Sequence, residues 1–488
     1  MKKYNLIDLT INEEKRKNAV KRAKERNIII PTFEQMRHPE TIPAEVKDQL
    51  HELGLWDIDP LNLFRITWHN EPKSSGGEFG DVNYIEIPEA ISGVKAKIIA
   101  LSGKYFPTGA HKVGAAFGCL VPRLITGQFD PTTTKAVWPS TGNYCRGGAY
   151  DSALLSCDSI AILPEGMSKE RFEWLEKVAG ETIKTVGTES NVKEIFDKCW
   201  ELRQSGEDLM IFNQFDEFGN YLWHHEITGP AIEQALKHVD GKLHGYISCT
   251  GSGGTIAAGD YLKKKYPTMK IAASEALQCP TIYHNGFGDH RIEGIGDKHI
   301  PWIHNVKNTD IAMAIDDEAT MNWIRLLNDP NGHELLKESG VDQKTIDKLE
   351  WIGISGAANI IGAIKYAKYF ELTEDDVVVT ILTDSMEMYQ SRLEELDKDC
   401  GPLNEKTTYG IYERYFKGLD IDYIKELSYY DRKTIHNLKY YTWVEQQGKT
   451  YDEIQAQWYD DSYWTSIPKI VNELDELIKK FNDDVKKC

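Results

Sequence analysis

Between about residue 95 and residue 396, short apolar runs alternate with helix-patterned stretches, and no other feature limits the fold so strongly. The runs Lys97–Leu101, Ser159–Leu163, Glu181–Val186, Leu243–Ser248, Ile271–Ser274 and Val377–Leu382 have the length and composition of strands. Stretches such as Ser168–Ala179 and Thr255–Tyr266 suit helices. Strands that alternate with helices build parallel-rich sheets covered on both faces, so the expected class is α/β. Ligands of such sheets bind beyond the carboxyl ends of the strands, and glycine-rich loops there are the places to search.

The flanks have a different pattern. Residues 12–26 read as a polar helix, residues 43–53 carry Val46, Leu50 and Leu53 at helical spacing, and Ser74-Ser75-Gly76-Gly77 reads as a loop. Beyond about residue 400 the chain is dense in Tyr and Trp and ends in the helix-like run Ile467–Lys487. Aromatic residues dominate cores and interfaces, so this part is expected to be a helical appendage packed on the body or on a second subunit.

The 57 basic and 76 acidic residues give a formal charge of −19. That balance excludes a protein built to grip nucleic acid or an anionic membrane surface, both of which need a cationic face. No run of about 18 apolar residues is present, so no transmembrane helix is expected. The start Met1–Asp8 has no apolar signal core. The eight cysteines are scattered with no Cys-x-x-Cys pair, which suits free thiols in a cytoplasmic protein rather than a disulfide framework or a metal site. At roughly 100–200 residues per domain, two to four domains or subdomains are expected.

Four loops carry candidate chemistry. Thr250-Gly251-Ser252-Gly253-Gly254-Thr255 lies between a strand and a helix, where exposed N–H groups and a helix end attract a phosphate; a plain tight turn would look the same. Phe106-Pro107-Thr108-Gly109-Ala110-His111-Lys112 leads into a small, apolar helix. Lys112 at its start has an amine whose charge is disfavoured by burial and helix end, as imine chemistry requires, unless it snorkels to the surface. Ser140-Thr141-Gly142-Asn143 offers hydroxyls, an amide and N–H groups suited to a carboxylate, or a simple helix-capping turn. Thr383-Asp384-Ser385 closes the last strand, as a ligand contact or a cap.

Taken together and in order, these segments resemble fold-type II pyridoxal-phosphate enzymes, within them the cysteine synthase and cystathionine β-synthase branch of the tryptophan synthase β-like superfamily. Phe106–Lys112 is similar to the family's Asn-Pro-x-Gly-Ser-x-Lys, Ser140–Tyr144 to Thr-Ser-Gly-Asn-Thr, and Gly251–Thr255 to the Gly-Thr-Gly-Gly-Thr phosphate cup. Leu163–Arg171, Asn213–Asn220, His225–Ile232, Ile292–Gly296, Gly353–Ala358 and Thr383–Ser385 resemble further family motifs. The resemblance spans about residues 95–396 and leaves both ends of the chain uncovered.

It implies pyridoxal 5'-phosphate as cofactor, with Lys112 as the Schiff-base lysine and Gly251, Ser252, Gly253, Gly254 and Thr255 around the phosphate. Asn143 would meet the cofactor's phenolic oxygen, and Ser385 the pyridine nitrogen. Ser140, Thr141, Gly142, Asn143 and Gln214 would hold the substrate carboxylate. The implied architecture is two three-layer α/β subdomains plus helical N- and C-terminal extensions. Residues 91–135 and 241–396 would form the large cofactor-binding subdomain, 136–240 a small mobile one, and 1–90 and 397–488 the extensions.

The implied reaction is β-replacement or β-elimination on a small L-amino acid through an aminoacrylate, in sulfur amino-acid metabolism. A cysteine desulfhydrase or another amino-acid β-lyase or ammonia-lyase is the alternative, a non-catalytic regulatory relative that binds the cofactor the second, and serine or threonine dehydration ranks lower. A cytoplasmic homodimer is the expected assembly, two-fold dimers being the commonest kind.

The chain departs from the family pattern in two places. Ala110 removes a hydroxyl near the cofactor phosphate, and the triplet Ala110-His111-Lys112 is closer to that of the tryptophan synthase β chain. Tyr144-Cys145 replaces Thr-Gly and remodels the substrate end of the pocket. Cys145 is either an active-site thiol or, by preference, a small buried residue.

Overall fold

In chain order the strands are β1 (Tyr84–Ile87), β2 (Lys97–Ser102), β3 (Lys135–Pro139), β4 (Ser159–Pro164), β5 (Glu181–Thr185), β6 (Leu209–Ile211), β7 (Lys242–Cys249), β8 (Lys270–Ala276), β9 (Ile311–Ile315), β10 (Asp376–Leu382) and β11 (Ile424–Glu426). This is a computed structural model that describes residues 4–72, 74, 77–188 and 191–487. Met1–Lys3, part of the Ser74–Gly77 segment and Cys488 lie outside the described residues.

The strands form two sheets. The larger has the order β1-β2-β10-β7-β8-β9-β11. Its five central strands run parallel, while β1 and β11 pair antiparallel with β2 and β9 at the two edges. The smaller sheet, β5-β4-β3-β6, is parallel throughout. Burial on both faces explains why central strands read as continuous apolar runs. In β10 only Asp376 keeps some exposure; even Thr380 is enclosed, its hydroxyl donating to the Ile247 carbonyl at 2.9 Å.

Helix Lys112–Thr126 owes its position to small residues. A Cβ at Gly118 would strike the Gly219 carbonyl, and a Cβ at Gly219 the Gly118 carbonyl, so this helix and helix Phe218–Trp223 approach with backbones nearly touching.

Both ends of the chain pack on this body. Helix Val471–Lys487 lies against helix Glu13–Glu25 and helix Lys112–Thr126. Asp475 accepts the N–H groups of Phe33 (2.7 Å) and Glu34 (3.1 Å), so the last helix caps the start of helix Phe33–Arg37. The regions expected to be helical extensions are largely so, with one difference: each also supplies an edge strand, β1 and β11, to the large sheet. No helix among the described residues is long and apolar enough to cross a membrane.

Candidate active site

Two main-chain bonds set the catalytic loop against the end of β10. The Gly103 N–H donates to the Leu382 carbonyl (2.8 Å) and the His111 N–H to the Thr383 carbonyl (3.2 Å). Between them Pro107–Gly109 makes a single 3-10 turn in which Thr108 is left-handed (φ +67°), buried and without a partner for its hydroxyl. A non-glycine residue in that region stores strain of about 1–3 kcal/mol, which structures tolerate mainly at functional sites. Lys112 is the first residue of the following helix, and its Nζ donates to Ser252 Oγ (2.9 Å) and Gln214 Oε1 (3.2 Å).

The loop after β7 is shaped to receive an anion. The N–H groups of Gly251, Ser252 and Gly253 meet no acceptor among the described residues, beside the N-terminus of helix Ile256–Lys265. A Cβ at Gly254 would collide with the side chain of Asn220, whose Nδ2 donates to Ser252 Oγ and the Gln214 carbonyl, both at 3.0 Å. The Thr255 hydroxyl is engaged by Ser248 at 2.7 Å. Across the gap, a Cβ on Gly251 would stand 3.0 Å from the Gly294 carbonyl, and Ser355 Oγ is buried near Gly294 without a partner.

The third loop follows β3. Ser140 Oγ accepts the Gly142 N–H (3.0 Å) and the Gln214 amide (3.3 Å). Gln214 therefore bridges Lys112 and Ser140. Asn143 opens helix Asn143–Leu154 and turns its amide to Asp384 (2.6 Å) while its oxygen accepts from Arg146 (3.2 Å). Gly142 has no Cβ because the Arg171 guanidinium occupies that space. Arg171 donates to the Thr141 carbonyl (3.1 Å) and the Tyr389 hydroxyl (2.7 Å) and pairs with Glu293 (2.9 Å), all out of solvent. Burial pushes the Asp384 carboxyl up, against the pull of Arg171 and of the Tyr389 and Asn143 hydrogen bonds.

One cavity brings together Lys112, Ser140, Thr141, Asn143, Gln214, Gly251 and Ser252. Its wall also holds Tyr144, Val192, Phe215, Gly294–Asp297 and Thr383. Ser385 is buried at the start of the turn Met386–Met388, and from its segment Thr383, not Ser385, lines the cavity. Cys145 donates to the Gly142 carbonyl and its thiol is pushed up to about 12 by burial, so it is a packed thiol rather than a nucleophile. His111, beside Lys112, is fully enclosed by Trp68 and His224 and is held neutral, its pKa lowered to about 3 by burial and then by Lys112. A larger surface groove of about 810 Å³ beside β1 contains none of the loop residues.

The family of pyridoxal-phosphate dependent enzymes matches residues 85–384, three fifths of the chain. The chain belongs to this family. A probable cysteine synthase of Bacillus subtilis is 28% identical over 286 residues, covering 58% of this chain and 85% of its own. The cystathionine beta-synthase of Saccharomyces cerevisiae is 25% identical over 318 residues, 63% of this chain and 59% of that protein. Among solved structures, a hydrogen sulfide-producing enzyme of Fusobacterium nucleatum shares the fold with a TM-score of 0.54 and 24% identity, over 63% of this chain and 95% of that one.

The site of this pyridoxal-phosphate enzyme fits its cofactor on three counts. Three unpaired N–H groups at a helix start await a phosphate, the buried Ser355 hydroxyl near Gly294 has no partner, and the Lys112 amine stands beside Ser252 of the loop. Sequence reasoning marked the Thr383–Ser385 strand end but chose Ser385 over Thr383, and it missed Asp297 and the buried Arg171–Asp384–Tyr389 group. Arg171 and Asp384 fell inside recognised motifs, but their contacts are made across the two sheets and no local pattern announces them.

Proposed function

We propose that this enzyme replaces or eliminates the β-substituent of a small L-amino acid in sulfur amino-acid metabolism, replacement being favoured. The observation that carries the reading is the convergence on one cavity of Lys112, Gly251 and Ser252 of the cup, and Ser140, Thr141 and Asn143 of the loop after β3, with Gln214 bridging Lys112 and Ser140. The relatives named as cysteine synthase and cystathionine beta-synthase support it.

Bound pyridoxal phosphate supplies the electron sink for the pair left at Cα. Lys112 anchors the cofactor and its amine takes the α-proton. The N–H groups of Gly251, Ser252 and Gly253, with Gly254 and Thr255 completing the cup, hold the phosphate through the main chain and the helix end. Ser140, Thr141, Gly142, Asn143 and Gln214 hold the substrate carboxylate, and the Thr383–Ser385 strand end, of which Thr383 lines the cavity, offers the ring nitrogen a hydroxyl rather than a charge. For Asn143 this requires its amide to be shared with Asp384. Residues 136–240 close over the substrate and exclude water. A cytoplasmic homodimer acting on cysteine or an O-activated serine completes the reading.

The test is a screen of O-acetylserine, cysteine, serine and diaminopropionate, scoring sulfide, pyruvate and ammonia, with and without added sulfide. Cysteine formed from O-acetylserine and sulfide is the expected result. Cofactor-saturated protein that turns over none of the four would sink the proposal.

A further inference from the structure

The cavity that contains Lys112 is also lined by Asp297. The preceding residue, Gly296, is left-handed (φ +80°), and its N–H donates to the Thr250 carbonyl at 2.9 Å. The segment is thus fastened to the strand end that carries the anion cup. Asp297 is almost wholly buried, and the titratable group in closest contact is His299, whose Nδ1 stands 3.3 Å from Asp297 Oδ1. The other groups facing it are the exposed Lys298 and the buried thiol of Cys279.

Aromatic rings wall off His299. Its imidazole lies 5.1 Å from Phe215, 5.5 Å from Phe196 and 5.4 Å from Trp443, and its Nε2 is buried without a partner. Trp443 comes from the C-terminal region that the family match does not cover, and its indole N–H donates to the Ile300 carbonyl at 2.8 Å. The appendage therefore reaches directly onto the segment bearing Asp297 and His299. A buried carboxyl group is costly, and one that also faces a substrate cavity calls for a chemical reason. Burial holds its carboxyl above the ordinary range, against the pull of His299 and Lys298.

We propose that Asp297, held by a His299 that is itself packed against Trp443, is a second acid–base group of this site and exchanges a proton with the substrate's β-substituent. The inference rests on the β-replacement and β-elimination reading above. In elimination the Cβ–X bond breaks, its electron pair leaves with X, and the Asp297 carboxyl gives X its proton. In replacement the resulting carboxylate takes the proton of the incoming H–Y as Y bonds to Cβ, and Asp297 is restored. Lys112 handles only the α-proton. His299 and Trp443 are positioning residues.

Leaving groups of different basicity provide the test in the holoenzyme. A thiolate leaving from cysteine needs the proton, and an acetate leaving from O-acetylserine does not. Asp297→Asn is expected to lower kcat for cysteine by about a hundredfold, within the range of lost general acid–base catalysis, and for O-acetylserine by less than about tenfold. His299→Gln, which keeps the aromatic roof, and Trp443→Leu should show the same bias more weakly. Without cofactor, carboxyl-carbon NMR of aspartate-labelled protein should show one resonance titrating above the ordinary range, absent in Asp297→Asn and shifted down in Trp443→Leu. Equal losses on both substrates, or an Asp297 that titrates in the ordinary range, would overturn the proposal while leaving the broader reading intact. A wild type inert to both amino acids fails both.

Discussion

Asn143 and Asp384 face each other between the two sheets, the amide Nδ2 donating to the carboxylate Oδ2 at 2.6 Å. Asn143 follows β3 of the small sheet and Asp384 follows β10 of the large one. The same carboxylate oxygen accepts from the Tyr389 hydroxyl at 2.6 Å, and Tyr389 accepts from Arg171. Removing one member strands buried partners. Asp384→Ala is expected to cost about 3–5 kcal/mol, the range for breaking a buried charged group, and Asp384→Asn about 1–3 kcal/mol because the shape survives. Denaturant unfolding of the two variants would establish the order.

Lys112→Ala removes the amine that meets both Ser252 and Gln214. The purified variant should lose the near-visible absorbance of the bound cofactor, and turnover should drop by about 10²–10⁴-fold. Wild-type spectrum and rate in the variant would dismiss Lys112 as the anchor.

Gly254 has no room for a methyl group, because Asn220 occupies the space. Gly254→Ala is expected to displace Asn220, free Ser252 Oγ from one of its donors and loosen the cup. Cofactor retention after dialysis should fall several-fold, with far-ultraviolet circular dichroism unchanged.

Glu275, at the end of β8, accepts the N–H groups of Ile282 (2.8 Å) and Tyr283 (2.7 Å), yet burial pushes its carboxyl up to about 8. Between the unfolded carboxyl range and about 8 the folded chain holds the extra proton, so stability falls as pH rises. The contribution is fully present below the unfolded range and lost through about 8. Its steepest slope is about 1.4 kcal/mol per pH unit. Glu275→Gln lacks this slope. Unfolding free energies of both proteins at about pH 5, 7 and 9 should therefore diverge in pH dependence; parallel curves would mean Glu275 is ionised throughout.

Of the seven described cysteines, Cys400 alone is exposed, and burial raises the pKa of the Cys119, Cys145, Cys157, Cys199, Cys249 and Cys279 thiols. Brief alkylation of the native protein, read by peptide mass, should mark Cys400 and spare these six. Early labelling of Cys145 would restore it as an active-site thiol.

Strands β2, β4, β5, β7, β8 and β10 were legible in the sequence because apolar or β-branched runs end at turn signals. β9, Ile311-Ala-Met-Ala-Ile315, is rich in helix-tolerant residues, and β6 has three half-buried ones. β1 and β11 lie in flanks whose prevailing pattern is helical. The glycine loops could be read because strand, loop and helix follow one another along the chain. The surroundings of Asp297 could not, since they depend on Trp443 folding back from far along the chain. Ser385 was readable as a strand-end hydroxyl, but which residue of the trio faces the cavity depends on the turn that follows.

The seven-stranded sheet is hemmed on one margin by β1 and on the other by β11, each drawn from outside the motif-bearing stretch. Trimming the chain to residues 95–396 would expose Ile98–Leu101 of β2 and Ile311–Met313 of β9, two apolar ladders of unpaired amide groups of the kind that templates intermolecular pairing. A protease fragment or expression fragment cut to the motifs would retain every loop that bears on the chemistry and still tend to precipitate. The two ends of this chain thus act as selvedges, and solubility as well as catalysis depends on where the chain is cut.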